Sequence, residues 1–152
     1  MFNYVKVKFP ESPSVQPSFV YSATLRQSRY AHEMLTITFR DWNLSYDVVE
    51  PNSPVNVTMY GPNKRREFYG YVHHVVPEQT PGKNFVTVVL IGASYRMKQQ
   101  SQKIYKNATA DRVVKEIAKK YDFVCYAVPH SRVFPQISQT GHSDWELMVK
   151  LA

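Results

Sequence analysis

The chain has 152 residues, enough for one domain or one compact domain with an appendage, and too few for two large cores. Its hydrophobic fraction of 43% belongs to a folded globular chain, no apolar run reaches membrane-spanning length, and the start MFNYVKVKFP alternates and carries lysines where a secretion signal needs an apolar stretch. A net charge of +7 permits attraction to nucleic acid or another acidic surface without identifying either, and a single cysteine, Cys125, excludes an internal disulfide framework.

Residues 1–97 are mainly strand-like. YVKVKF sets Val5, Val7 and Phe9 opposite Tyr4, Lys6 and Lys8, and LTITF separates Leu35, Ile37 and Phe39 from Thr36 and Thr38. VNVTMY repeats the alternation with Val55, Val57 and Met59, while REFYGYVHHVV at 66–76 and NFVTVVLIG at 84–92 supply two further runs. The proline-rich FPESPSVQP, then EPNSP, YGPNK and EQTPGKN, separate these runs as turns. Five or six short strands with short connections predict a closed or nearly closed antiparallel β-barrel, since closure removes exposed edges; a β-sandwich is the alternative.

After Gly92 the pattern changes. ASYRMKQQ suits a short helical turn and QKIYKN a brief extended stretch. TADRVVKEIAKKY predicts a helix over 109–121, with Thr109 as N-cap, Asp111 in the first turn, Lys119 and Lys120 near the end, and an apolar stripe of Val113, Val114, Ile117, Ala118 and Tyr121. FVCYAV at 123–128 reads as a buried strand, and the following stretch, limited by Pro129 and Pro135, leads through Gly141 to a second helix. There Ser143 and Glu146 have capping-box spacing, and Trp145, Leu147, Met148, Leu151 and Ala152 form an apolar side. The fold class is therefore mainly β with a small α/β appendage: a barrel over 1–97, then two helices and a short strand over 98–152.

Chemistry-bearing patterns are sparse. His73 and His74, adjacent in a strand, should point to opposite faces and suit one metal poorly, while His32, His130 and His142 have no spacing that forces them together. Glu33, Asp41, Asp47 and Glu50 form no local acid–base pair, and Cys125 sits among apolar neighbours that suit an inert thiol. NVT and NAT match glycosylation acceptors but read as sheet polarity and helix capping. NKRR at 63–66 follows a glycine without forming a phosphate-binding loop, and reads first as a hairpin tip. No catalytic residue, metal ligand or cofactor site is assigned, so the chain is not read as an enzyme.

In order and spacing, FYGYV at 68–72, LIGASYRMKQQ at 90–100, KIYKNATADRVVKEIAKKY at 103–121 and ISQTGHSDWELMVKLA at 137–152 resemble the phage baseplate and tail-hub proteins of the late control protein D family. The same arrangement resembles the hub part of type VI secretion spike proteins. The resemblance implies a structural subunit connecting a tail tube to a tail-tip spike, in an oligomer, trimer or hexamer, whose partners are tube, baseplate or spike proteins. It places the chain in a virion tail or baseplate assembled in the bacterial host cytoplasm. It covers only the N-terminal portion of such a hub, whose subunits carry two barrels, so a fragment, a split subunit or a reduced relative is expected. Carried over residue by residue, it makes Phe68, Gly70 and Val72 barrel residues, Gly70 allowing curvature or close backbone approach. Asn107, Thr109 and Asp111 would organise the start of the first helix, and Ser143, Asp144 and Trp145 would start and anchor the second, Trp145 as a buried anchor. Lys64, Arg65 and Arg66 are a possible interface. The rival functions are a small-barrel nucleic-acid-binding module using the same basic run and, behind it, a tail-associated peptidoglycan hydrolase.

Overall fold

The structure, a computed structural model, describes residues 4–15, 19–42, 49–80 and 82–152. The chain divides into two compact units, Met1–Ala93 and Ser94–Ala152, with the divide at the beginning of a 3-10 helix, Ala93–Lys98. Asp47, one of the carboxylates considered above, lies outside the described residues.

The first unit is a six-stranded antiparallel sheet. Its strands are β1 (Tyr4–Lys8), β2 (Val20–Ser28), β3 (Ala31–Arg40), β4 (Pro54–Tyr60), β5 (Arg65–Thr80) and β6 (Lys83–Gly92), in the order β1-β4-β5-β6-β3-β2. Alternation places one face of each inner strand in a single apolar cluster: Leu35, Ile37 and Phe39 from β3, Val55, Val57 and Met59 from β4, Phe68 and Val72 from β5, and Val86, Val88 and Leu90 from β6. Trp42 completes the cluster, its ring edge-on to Phe39 at 4.9 Å between centroids and stacked on Phe9 at 6.1 Å. The opposite face carries polar cross-strand pairs such as Thr38 and Thr87, whose hydroxyls lie 3.1 Å apart.

Where a closed or nearly closed barrel is expected, the sheet is barrel-like but curled into a half-barrel, because β1 and β2 remain edges: among the described residues they do not pair with one another. The strand β2 was not expected from the sequence. Only Val20 and Leu25 are drawn towards the core and the rest of the strand is exposed, so its residues carry little periodic signal.

Two backbone irregularities shape β5. Its pairing with β6 shifts between Val72 and His74, and this bulge turns the two adjacent histidines to the same side, against the expectation of opposite faces. Their Nδ1 atoms lie 2.7 Å apart. At Gly70, any Cβ would overlap the Ile91 carbonyl oxygen and press on the Phe68 ring at 2.8 Å, so only glycine lets β5 and β6 approach there.

The second unit pairs β7 (Ile104–Ala108) with β8 (Phe134–Ser138) in an antiparallel ribbon and adds helices α1 (Ala110–Lys120) and α2 (Asp144–Leu151). Its core joins Tyr105, Ala108, Val113, Ile117, Ile137 and Leu147. The strand β8 contains Pro135, which argued against regular structure; the ladder skips Pro135 and Asn107, and Asn107 has a left-handed φ of 48°, so the missing amide falls where pairing is interrupted. Residues 123–128, expected as a buried strand, join no sheet: Phe123, Cys125 and Ala127 are half-buried, while Val124, Tyr126 and Val128 are exposed.

Helix α1 ends in a Schellman turn. The Phe123 amide donates to Ala118 and the Asp122 amide to Lys119, with Asp122 at φ 57° where glycine is usual. Two substitutions test these backbone constraints by chemical denaturation of the full chain. Gly70→Ala is expected to destabilise the first unit by about 1–3 kcal/mol, as overpacking does. Asp122→Gly is expected to raise the stability of the second by a few tenths to about 1 kcal/mol, because relief of left-handed strain exceeds the added chain entropy. A neutral Gly70→Ala would show that the β5–β6 approach yields freely.

Candidate functional site

The most connected polar site lies at the start of α2. Ser143 caps the helix by accepting from the Glu146 amide at 3.2 Å, while Glu146 Oε2 accepts from the Ser143 amide at 2.7 Å, completing the capping box. The next residue, Asp144, is only 2% exposed. Its Oδ2 accepts from Lys120 Nζ at 2.7 Å and from the Tyr121 hydroxyl at 2.5 Å, and its Oδ1 accepts from Gln139 Nε2 at 2.5 Å. Burial pushes the Asp144 carboxyl towards its neutral form, but the three donors, Lys120 foremost, outweigh it and hold the group below the usual carboxylate range. Lys120 is held correspondingly more basic by its bond to Asp144.

This arrangement is a tie rather than a reactive centre. A carboxylate kept ionised by a lysine and two neutral donors is a weak base at neutral pH and has its lone pairs already directed. Gln139 is fully buried, and its Oε1 makes no hydrogen bond. Beside the tie lies an open hollow of about 380 Å³, lined by Lys103, Tyr105, Glu116, Lys119, Lys120 and Asp144. Lys103 and Glu116 form an ion pair across it.

The residues expected to begin α1 lie close together but divide the work differently. Thr109 has the extended backbone of an N-cap, yet its side chain caps no helical amide; its hydroxyl is directed to the Asp111 carboxylate. That bond, then the His130 amide at 3.2 Å and Lys115 at 3.3 Å, lower the Asp111 pKa to about 2. Asn107 stands in β7 at the ladder interruption. Trp145, expected as the buried anchor of α2, is half-buried, and Leu147 takes the fully buried position. The reason is rotational: capping by Ser143 and burial of Asp144 turn Leu147, three residues on, to the same inward side.

In the first unit Phe68 and Val72 enter the core and Gly70 is buried where β5 approaches β6. The basic run divides: Lys64 closes the turn by accepting from the Gly61 amide through its carbonyl, whereas Arg65 and Arg66 begin β5. Arg65 pairs with Glu67 and covers the Tyr60 ring at 5.9 Å, and Arg66 reaches Glu33 at 3.5 Å. The Tyr69 hydroxyl and then Arg65 hold Glu67 below its ordinary value. Among the described residues no group of three or more His, Cys, Asp or Glu side chains is placed to hold a metal.

Sequence reasoning named Ser143 and Asp144 but not Lys120, Tyr121 and Gln139 as their partners. Lys120 reads as a basic residue near the end of the helix and Tyr121 as part of its apolar stripe, and no spacing marks Gln139 as a partner.

Two measurements test the tie. Asp144→Ala should cost about 2–4 kcal/mol, since it strands a lysine, a tyrosine hydroxyl and a buried amide together; a near-neutral change would remove the tie's structural role. Asp111, Asp144 and Glu146 all titrate below their ordinary values, so the stability they contribute is complete above the unfolded carboxylate range and is lost as pH falls through the folded values. The denaturation midpoint of the helical signal should therefore drop between about pH 5 and pH 2, and Asp111→Asn should flatten that fall. A midpoint equally acid-sensitive in Asp111→Asn would exclude Asp111 as a contributor.

No protein-family model matches the chain, and no curated protein sequence does. Solved structures do. The 43 kDa tail protein of prophage MuSo2 from Shewanella oneidensis superposes with a TM-score of 0.67 at 16% identity, over 97% of this chain and 48% of its own. The tail protein from Neisseria meningitidis MC58 gives 0.70 at 9% identity, over 97% and 44%. The E. coli c3393 protein, a component of the type VI secretion system with structural similarity to the T4 bacteriophage tail proteins gp27 and gp5, gives 0.71 at 15% identity, over 98% and 42%. The chain thus spans less than half the length of each of these proteins, and over its own length it has the fold that phage tail proteins and a type VI secretion component share.

Proposed function

We propose that this chain is a structural subunit of a phage tail or baseplate hub, joining the tail tube to the tail-tip spike. The observation that carries this reading is the fold likeness over 97–98% of the chain to two tail proteins and a type VI secretion component. The physical character of the molecule agrees with it. Its most connected polar site is a static tie, and its conspicuous free features are surfaces for assembly.

In this reading the chain self-associates, as a trimer or hexamer, and contacts tube, baseplate or spike proteins. It works in the virion tail after assembly in the host cytoplasm. The edges of β1 and β2 support self-association, because an open edge presents backbone donors and acceptors to a neighbouring strand. Exposed Tyr4 in β1, exposed Tyr21 in β2 and exposed Phe19 just before β2 add apolar area to both edges. Copies paired through these edges would complete the barrel that one chain leaves open. Relatives twice as long carry further chain, so a second component, or a continuation of this one, would supply the remaining hub in this reading.

The test is genetic and structural together. Removing this chain from the element that encodes it should leave tail tubes unjoined to a tip when particles are imaged by electron microscopy, with restoration by the chain supplied in trans. Complete, tipped tails in its absence would overturn the reading.

A further inference from the structure

In a regular strand consecutive side chains leave opposite faces, so adjacent histidines do not meet. In β5 they do. The register against β6 passes from Val72 opposite Leu90 to His74 opposite Val89, which leaves His73 as the extra residue of the bulge and brings both imidazoles to the same side. Their Nδ1 atoms lie 2.7 Å apart, and the rings stand at 72° with centroids 4.9 Å apart. Both flanks of the bulge are fastened. The Val72 amide donates to the Ser53 carbonyl at 2.9 Å and the Val72 carbonyl accepts from the Asn52 amide at 2.7 Å, while His74 resumes the ladder opposite Val89. The backbone thus sets the pair side by side, and both histidines are exposed to water.

Two neutral imidazoles at this separation share one proton, the Nδ1–H of one ring donating to the bare Nδ1 of the other. A metal ion takes the place of that proton once both rings carry their hydrogen on Nε2, because two Nδ1 lone pairs are then left on one side. Distance selects the ion. With nitrogen–metal bonds of about 2.0–2.1 Å, donors 2.7 Å apart subtend about 80–85° at the metal. Neighbouring positions of a square-planar or octahedral ion lie about 90° apart, with donors about 2.9 Å from each other, whereas a tetrahedral ion needs about 109° and about 3.3 Å. We infer that His73 and His74 form a bidentate site for a divalent late transition-metal ion of square-planar or octahedral habit, nickel or copper in preference to zinc. Among the described residues no group of three or more His, Cys, Asp or Glu side chains is placed to hold a metal, so water fills the remaining positions. The inference stands apart from the tail reading, since it uses only the bulge, the two rings and their distance.

Calorimetric titration of the full chain with Ni2+, and separately with Zn2+, tests it. One Ni2+ should bind per chain, and its paramagnetism should broaden the amide resonances of His73, His74 and Val89 before those of the second unit. His73→Gln and His74→Gln should each weaken Ni2+ binding at least about tenfold, because each removes one of the two protein ligands. Their unfolding midpoints without metal should match that of the unaltered chain, since both side chains are exposed. His130→Gln, which alters an exposed histidine of the second unit, should bind Ni2+ as the unaltered chain does. An effect of only one of the two β5 substitutions would overturn the bidentate assignment in favour of a single imidazole. Tighter binding of Zn2+ than of Ni2+ would overturn the geometric one. Equal weakening by His130→Gln would move the site out of β5, and binding by the unaltered chain no tighter than by the double variant His73→Gln/His74→Gln would leave an adventitious ion only.

Discussion

A carboxylate with 2% exposure has to be satisfied within the fold, and satisfying Asp144 organises the second unit. Its three side-chain donors come from two places: Lys120 and Tyr121 from the end of α1, and Gln139 from the loop after β8. Its own backbone amide is directed to the Gln99 carbonyl at 3.3 Å, near the end of the 3-10 helix. A loop, two helices and the ribbon are thus referred to one residue. The apolar cluster beneath supplies non-directional stabilisation, but the Asp144 bonds select which end of α1 meets which end of α2. The capping box and the first-turn carboxylates Asp144 and Glu146 stabilise the start of α2.

The first unit is organised by a different constraint, the close approach of β5 to β6 at Gly70. Around that point Phe68 and Val72 enter the core on one side of β5, and two residues beyond Val72 the bulge changes the register. Bulges increase local twist, and a twisted central pair curls the strands hydrogen-bonded to it. The curl gathers the inner faces around Trp42 and Phe39 without bringing β1 to β2. A sheet so built has a complete core while, among the described residues, β1 and β2 stay unpaired at its edges.

What the sequence made legible follows from where each signal originates. Strands with a fully buried face, such as β3 and β4, announce themselves by alternation, and α1 by its stripe and charged ends. The strand β2 was hidden because an edge strand over the rim of a core spends few apolar residues, and β8 because Pro135 looks forbidding until its missing amide is seen to fall at the break beside Asn107. The histidine orientation failed at a bulge, which strict alternation cannot represent. For the site, Ser143 and Glu146 were readable because a capping box is local, three residues apart. The bonds from Lys120, Tyr121 and Gln139 were not, since no spacing rule connects a helix end to a carboxylate more than twenty residues away or marks one glutamine as its partner. Residues 123–128 show the same limit from the other side: apolar alternation declares a strand, but whether its partner lies within the chain is not encoded in the period.

The distribution of charge completes the functional picture. A chain of net charge +7 with the run NKRR invites a nucleic-acid reading, yet both arginines of that run and several other cations are paired locally. Arg65 is taken by Glu67, Arg66 by Glu33, Lys103 by Glu116, Lys115 by Asp111 and Lys120 by Asp144. Such pairs leave partial fields at the surface, but they do not form a row of cations spaced for successive phosphates, and phosphate contacts dominate nucleic-acid affinity. Exposed pairs also contribute little stability individually. Each pair lowers the charge of the surface around it and leaves the net field of +7 to the remaining lysines and arginines.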